Sequence, residues 1–232
     1  MRGDVSHSGG LALSPAVHDD EGPRYRVLGR LGVWVGGADR TPAPPKMRRL
    51  LALLLIRAGE TVPAEKIVAE LWGERPPRRA SASLHVYVSQ LRKLLARPGN
   101  PSPIVTSSPG YLLQVPEGRL DIQEFERLYG HGRSRFAAGD FTAASAILGE
   151  ALLLWRGPVL EGISGSLEID SFVAVAEEKR LNCLEMRIES DLVLGRHREL
   201  VEELNGLVVQ HPLREPFYRQ LMTALYCAGR QG

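Results

Sequence analysis

The chain has 232 residues, 44% of them apolar, and a formal net charge of +2, which is enough for two domains of ordinary size with a normal globular apolar fraction. No apolar run reaches the 18 or more residues read as a membrane span. No compact apolar stretch follows a basic start as in a secretory signal, so a cytoplasmic protein is expected. The small net charge conceals a division. Residues 24–116 hold 15 Lys and Arg against 5 Asp and Glu, a net +10, whereas residues 117–232 hold 13 against 18, a net −5. A basic block followed by an acidic one fits a nucleic-acid module joined to a module with another partner. Cys183 and Cys227 lie far apart without metal-ligand spacing, and both are expected as small buried hydrophobes in a reducing compartment.

Residues 1–23 are rich in Gly, Ser, His, Asp and Pro without periodicity and read as a disordered tail in which His7 and His18 are incidental. Strand-like alternation begins at Tyr25 and continues through Val27, Leu31, Val33 and Val35 to a turn at Gly36-Gly37. The run Thr41-Pro42-Ala43-Pro44-Pro45 leads into a first helix with Leu50, Leu51, Leu53, Leu54 and Leu55, ended by Ala58-Gly59. A second helix starts near Pro63, carries Ile67, Val68 and Leu71, and ends at Trp72-Gly73. A third runs from about Ala80 to Ala96, with Leu84, Val88, Leu91 and Leu95 in one stripe facing a core. Residues from Pro98 to Pro103 break the chain. Ile104-Val105-Thr106 and Tyr111-Leu112-Leu113 then flank Ser107-Ser108-Pro109-Gly110, a hairpin signal. Sheet, three helices and hairpin in that order describe a winged helix of the OmpR type.

From Asp121 the pattern is helical to the end. Leu194-Gly195-Arg196-His197 and Ala228-Gly229-Arg230-Gln231 repeat at 34 residues, the tetratricopeptide period, with Pro212 between them. Ala138-Gly139-Asp140-Phe141 is a third such segment, 56 residues before Gly195, so an insertion that includes Trp155-Arg156-Gly157-Pro158 is expected. The last repeat stops where its partner helix should begin. This leads to the expectation of apolar surface exposed on the final helix and of a natural chain that continues past Gly232. The fold class is therefore an α+β winged helix with antiparallel sheet over 24–116, followed by an all-α tetratricopeptide-like unit over 117–232 that is incomplete at its C-terminus.

The third helix carries the functional signal. Its core stripe leaves His85, Val86, Ser89 and Arg92 on the other side, with Ala82 and Lys93 at the margins. An outward Val on a cationic helix suits a thymine methyl in a major groove, beside His85 and Ser89 as hydrogen-bonding groups. An ordinary amphipathic helix with a wet outer face is the bland alternative, which the adjoining hairpin and the basic charge disfavour. His85, Val86 and Ser89 are the base-reading candidates. Arg48, Arg49, Arg78, Arg79, Ser81, Tyr87, Arg92, Lys93, Thr106 and Ser107 are candidates for backbone contact, which positions without reading sequence. Trp34 and Trp72 are expected to pack rather than stack on bases. No phosphate-binding Gly-Lys-Ser/Thr loop, metal-spaced His/Cys cluster or nucleophile elbow is present, so no enzyme, cofactor or metal is expected. A response regulator, which needs a preceding phosphorylated domain, is not expected, because the 23 residues before Arg24 are too few for one. A helical-repeat scaffold without sequence-specific DNA binding remains the alternative, although it leaves the basic half unexplained.

Residues 24–232 resemble the Streptomyces antibiotic regulatory protein family. The stretches that carry the resemblance are Lys46-Met47-Arg48-Arg49-Leu50-Leu51-Ala52-Leu53-Leu54, Leu71-Trp72-Gly73-Glu74-Arg75-Pro76-Pro77, Leu84-His85-Val86-Tyr87-Val88-Ser89-Gln90-Leu91-Arg92 and Pro109-Gly110-Tyr111-Leu112-Leu113. In the second half they are Asp121-Ile122-Gln123-Glu124-Phe125, Ala151-Leu152-Leu153-Leu154-Trp155-Arg156-Gly157 and Arg214-Glu215-Pro216, which resemble the family's bacterial transcriptional activation domain. The resemblance implies a transcriptional activator that binds double-stranded DNA at direct repeats upstream of promoters, two protomers head to tail. It also implies recruitment of RNA polymerase, including its sigma factor, at a secondary-metabolite gene cluster. Ser83 and His85 depart from the Asn and Gln that relatives often carry nearby, so no base preference is carried over.

Overall fold

A computed structural model describes residues 22–97, 99 and 101–229. The expected disordered tail, with His7 and His18, lies outside the described residues apart from its last two positions, as do Pro98, Asn100 and residues 230–232. The chain opens with β1 (Arg24–Arg26), β2 (Gly32–Val35) and β3 (Ala38–Asp39), an antiparallel sheet in which Tyr25 pairs with Val33. There follow α1 (Pro45–Ile56), β4 (Thr61–Pro63), α2 (Ala64–Trp72), α3 (Ala80–Leu95), β5 (Ile104–Ser107) and β6 (Gly110–Leu113). The second sheet has the order β4-β6-β5, all antiparallel, with Val62 opposite Tyr111 and Thr106 opposite Tyr111 on the other side. β4 is absent from the sequence reading. It has only three residues and no alternation of its own, and it exists because β6 offers it a paired edge.

Pro45 at the first position of α1 suits a helix start, since its missing N–H would have had no partner there. The run Leu50-Leu51-Ala52-Leu53-Leu54-Leu55 is buried without a break. Six consecutive helical positions point in all directions around the axis, so α1 needs cover on every side. It packs on α2, α3 and β6 on one side and on α6 (Leu167–Val193) on the other. One hydrophobic core accordingly runs from Tyr25 through α1 to Phe125, Leu148, Trp155 and Cys183. A second, smaller core holds Ile188, Leu200, Leu204 and Phe217.

The second half consists of α4 (Asp121–Ala137), α5 (Phe141–Leu153), α6, α7 (His197–Gln210) and α8 (Glu215–Cys227). The three repeated segments are helix C-caps. Gly139, Gly195 and Gly229 have φ of 75°, 79° and 71°, a left-handed conformation that glycine adopts without a Cβ penalty. In the first two caps the bonds are equivalent: Asp140 N–H donates to the Arg135 carbonyl and Arg196 N–H to the Asp191 carbonyl, both at 3.0 Å. The caps also align the helices. Leu128, Gly132 and Phe136 of α4 correspond to Leu184, Ile188 and Leu192 of α6 and to Tyr218, Met222 and Tyr226 of α8. On α4 these positions seat α5: a Cβ at Gly132 would lie 2.5 Å from Leu148, and Phe136 meets Phe141 edge-on. On α8 they are exposed, as the repeat count leads one to expect. Pro212 falls between α7 and α8. The expected insertion is the segment between α5 and α6, together with the 27-residue length of α6. Cys183 is buried, as expected, and burial pushes its thiol up to about 12. Cys227 departs from the expectation, being exposed on α8, whose buried face is taken by Phe217, Gln220 and Ala224.

Polar groups fasten the two halves at two points. Asp121, at the first turn of α4, accepts from the Val27 N–H at 2.8 Å and the Leu28 N–H at 3.2 Å, and pairs with Arg156. The segment after α5 returns the contact: Arg156 N–H donates to the Leu28 carbonyl and Leu160 N–H to the Val27 carbonyl, at 3.0 and 2.9 Å. Burial raises the Asp121 carboxyl above its ordinary range, against the pull of the two amides and Arg156. At the second point, the start of α6, Glu168 takes Lys66 and Arg57, the Ser166 hydroxyl donates to Glu70, and Arg49 donates to the Ser164 carbonyl. Burial acts to raise the Glu168 carboxyl, but the two cations outweigh it and hold it below the ordinary range.

Two outcomes follow for stability. Asp121→Ala strands the Val27 and Leu28 amides at the junction and should lower unfolding stability by about 2 kcal/mol, read as a lower urea midpoint. For Glu168 the folded value lies below the unfolded one, so its contribution is complete above the ordinary carboxylate range and is lost as pH falls through the depressed value. Glu168→Gln should therefore flatten the acid limb of a stability–pH curve, and a variant with an unchanged acid limb excludes that role.

Candidate nucleic-acid interface

The face that α3 presents is set by what it buries. Ala80, Leu84, Val88, Leu91 and Leu95 are each at most 6% exposed, and a fully buried Leu or Val contributes about 2 kcal/mol, so the helix cannot rotate about its axis without losing several such contributions. Ser81, Ala82, His85, Val86, Ser89, Gln90 and Lys93 remain on the outer face, all exposed, with Val86 at 52%. His85, Val86 and Ser89 are thus brought together as the sequence reading expects. Gln90 is a member of the same face that the reading did not single out. Its signal was available: it stands four positions after Val86, one turn along the same side.

Tyr87 is only partly exposed. Its ring lies parallel to Trp72 with centroids 6.1 Å apart, and the Lys46 ammonium sits 4.8 Å over Trp72 while donating to the Leu71 carbonyl at 2.9 Å. One side chain from each of α1, α2 and α3 therefore forms a stack that fixes α3 across the other two helices. Trp34 packs at the first sheet under the Arg26 guanidinium, 4.4 Å away. Both tryptophans are packing residues, as expected.

The wing is short and closely tied. Gly110 is where β6 crosses β4, and a Cβ there would lie 1.9 Å from the Val62 carbonyl oxygen, so only glycine allows the approach. Thr61 and Ser107 share a hydroxyl–hydroxyl hydrogen bond of 2.8 Å between β4 and β5. Thr106 is exposed, and its hydroxyl oxygen accepts from Arg92 at 2.8 Å. Ser108 and Pro109 form the exposed tip.

The basic candidates divide by environment. Arg78 and Arg79 are exposed in the segment that enters α3, and Lys93 is exposed at its far end. Arg48 is partly buried in α1. Arg49 points across to Ser164 and Arg92 to the wing, so each has a partner within the chain. Among the described residues no group of three or more His, Cys, Asp and Glu is arranged to hold a metal, and no helix is long and apolar enough to cross a membrane.

Residues 39–113 match the family "Transcriptional regulatory protein, C terminal", and residues 120–232 match "Bacterial transcriptional activator domain". Among curated proteins, the regulatory protein DnrI of Streptomyces peucetius is 39% identical over 214 residues, covering 89% of this chain and 79% of that protein. The regulatory protein AfsR of Streptomyces coelicolor is 40% identical over 219 residues, which is 94% of this chain but 22% of that protein. Among solved structures, Mycobacterium tuberculosis EmbR in complex with a low affinity phosphopeptide superposes with a TM-score of 0.86 at 34% identity, over 91% of this chain and 56% of that one. The chain thus spans about a fifth of the length of AfsR and somewhat over half of the EmbR chain. These matches are to transcriptional regulators and not to enzymes. With the OmpR-type winged helix and the helical activator unit both in place and both matched, the chain belongs to the Streptomyces antibiotic regulatory protein family.

Proposed function

We propose that this protein is a sequence-specific transcriptional activator in which residues 24–116 bind DNA and residues 117–232 act on the transcription machinery. The observation that carries the reading is the outer face of α3: an exposed Val86 flanked by His85, Ser89 and Gln90, on a helix held in register by its buried stripe. A valine methyl suits thymine C5, Gln90 suits the N6 and N7 edge of adenine, and His85 and Ser89 supply adaptable hydrogen bonds. Arg78, Arg79, Ser81, Lys93 and Thr106 surround that face as backbone contacts, which set register and make binding salt-dependent. Arg49, Tyr87 and Arg92 hold the elements in place.

In this reading two protomers bind a direct repeat head to tail. The acidic helical half recruits RNA polymerase, including its sigma factor, at the promoter of an antibiotic or other secondary-metabolite gene cluster. The names of DnrI and AfsR as regulatory proteins, and their match over both halves, support it. The alternative, a helical-repeat scaffold without sequence-specific DNA binding, draws on the exposed Tyr218, Met222 and Tyr226.

In vitro selection from a random duplex library tests the proposal, with His85, Val86, Ser89 and Gln90 all replaced by alanine as control. The expected product is a direct repeat with half-sites spaced by about one helical turn, 10–10.5 base pairs. No enrichment over the control favours the scaffold. On the selected site, Val86→Ala or Gln90→Ala should change the preference at a single base pair by about 1–3 kcal/mol. Lys93→Gln should instead weaken all duplexes alike and reduce the salt slope by about one. A Val86 variant with wild-type affinity and preference removes that residue from the readout.

A further inference from the structure

Arg92 is a cation on the recognition helix, yet its guanidinium turns to the wing. Its Nε donates to the Ile104 carbonyl at 2.9 Å, and an Nη donates to the Thr106 hydroxyl oxygen at 2.8 Å. Its centre lies 5.9 Å from the Tyr111 ring centroid. A single side chain of α3 thereby grips both strands of the wing. Only a planar fork with separate donors can hold a carbonyl, a hydroxyl and a ring face together; an ammonium on a flexible stem cannot.

This arrangement has a consequence for Thr106. A hydroxyl carries one proton and two lone pairs. Because the Thr106 oxygen faces a cation, its proton is directed away from Arg92. Thr106 is exposed, so that proton is offered to solvent beside the outer face of α3. The Thr61–Ser107 hydroxyl pair ties the same strand to β4, which leaves β5 little freedom to turn Thr106 elsewhere.

We propose that Arg92 acts on DNA through Thr106: it is a positioning residue that locks β5 against α3 and orients the Thr106 O–H as the donor to a backbone phosphate. The proposal rests on the DNA-binding reading above. Recognition helix and wing then engage the duplex as one rigid unit.

The test uses the full chain with Arg92→Lys, Thr106→Val, Thr106→Ser and the double variant Arg92→Lys/Thr106→Val, on a labelled duplex carrying the selected repeat. Arg92→Lys keeps the charge but should lose about tenfold or more in affinity, with an unchanged salt slope. Thr106→Val should lose a similar factor, the double variant should lose no more than either single one, and Thr106→Ser should stay near wild type. Ethylation of individual phosphates should reveal one phosphate that matters to the wild type and matters to neither Arg92→Lys nor Thr106→Val. Wild-type affinity in Arg92→Lys overturns the proposal. So does losing about one unit of salt slope in Arg92→Met, additively with Thr106→Val, because the guanidinium would then meet a phosphate itself. Amide exchange in the free protein separates this failure from failure of the DNA reading. Faster exchange at Ile104–Ser107 in Arg92→Lys is expected, and unchanged exchange rejects the lock without reference to DNA. If the wild type selects no duplex, the DNA reading falls and the phosphate contact falls with it, while the exchange result still decides the lock.

Discussion

Six adjacent apolar residues on one helix, Leu50 to Leu55, cannot be covered by a small winged helix alone. Successive positions are turned by about 100°, so a run of this length leaves no face for water. The chain meets the constraint by laying the start of α6 along the side of α1 that α2, α3 and β6 leave open. The two halves then share a core instead of touching through a polar seam. Unlike inter-domain contacts that permit relative motion by default, this one makes α1 a common wall.

The polar fastenings follow from that wall. Where the halves meet, backbone groups of the β1–β2 connection and of the segment after α5 are removed from water and need partners. Asp121 and the returning Arg156 and Leu160 amides supply them. Leu160 has φ of 50°, which a leucine adopts at a cost that its complete burial and its bond to Val27 offset. Glu168, Lys66, Arg57, Glu70 and Ser166 do the same at the other end of the seam. Because Lys66 and Glu70 belong to α2, and α2 carries Trp72 against Tyr87, the pose of α3 is connected to the helical half through contiguous contacts. The winged helix and the helical half are thus held at a fixed angle to one another.

Much of this was legible along the chain. The stripe Leu84, Val88, Leu91 and Leu95 predicts both the extent of α3 and its outer face, since periodicity is a local property of a helix. The Gly139, Gly195 and Gly229 caps were legible for a similar reason: glycine after a helical stretch marks a left-handed cap whatever the helix packs against. β4 was not legible, because three residues of strand derive their identity from the edge they join. Nor was the exposure of Cys227, because which side of α8 is buried depends on α6 and α7 and not on cysteine's usual preference.

The candidate site shows the same division. Residue type and spacing along the sequence determined that a basic winged helix precedes an acidic helical repeat, and that His85, Val86 and Ser89 share an outward face. Charge, helical period and glycine placement act over a turn or two of chain, so they can be read without coordinates. Only the tertiary structure decided that Arg92 holds the wing, that Tyr87 stacks on Trp72 and that Arg49 reaches Ser164. An arginine has the same charge and the same place in the helical period whether its donors meet a phosphate or a carbonyl of its own chain. The difference lies in which acceptors the fold brings within about 3 Å, and those come from residues 12 to 115 positions away.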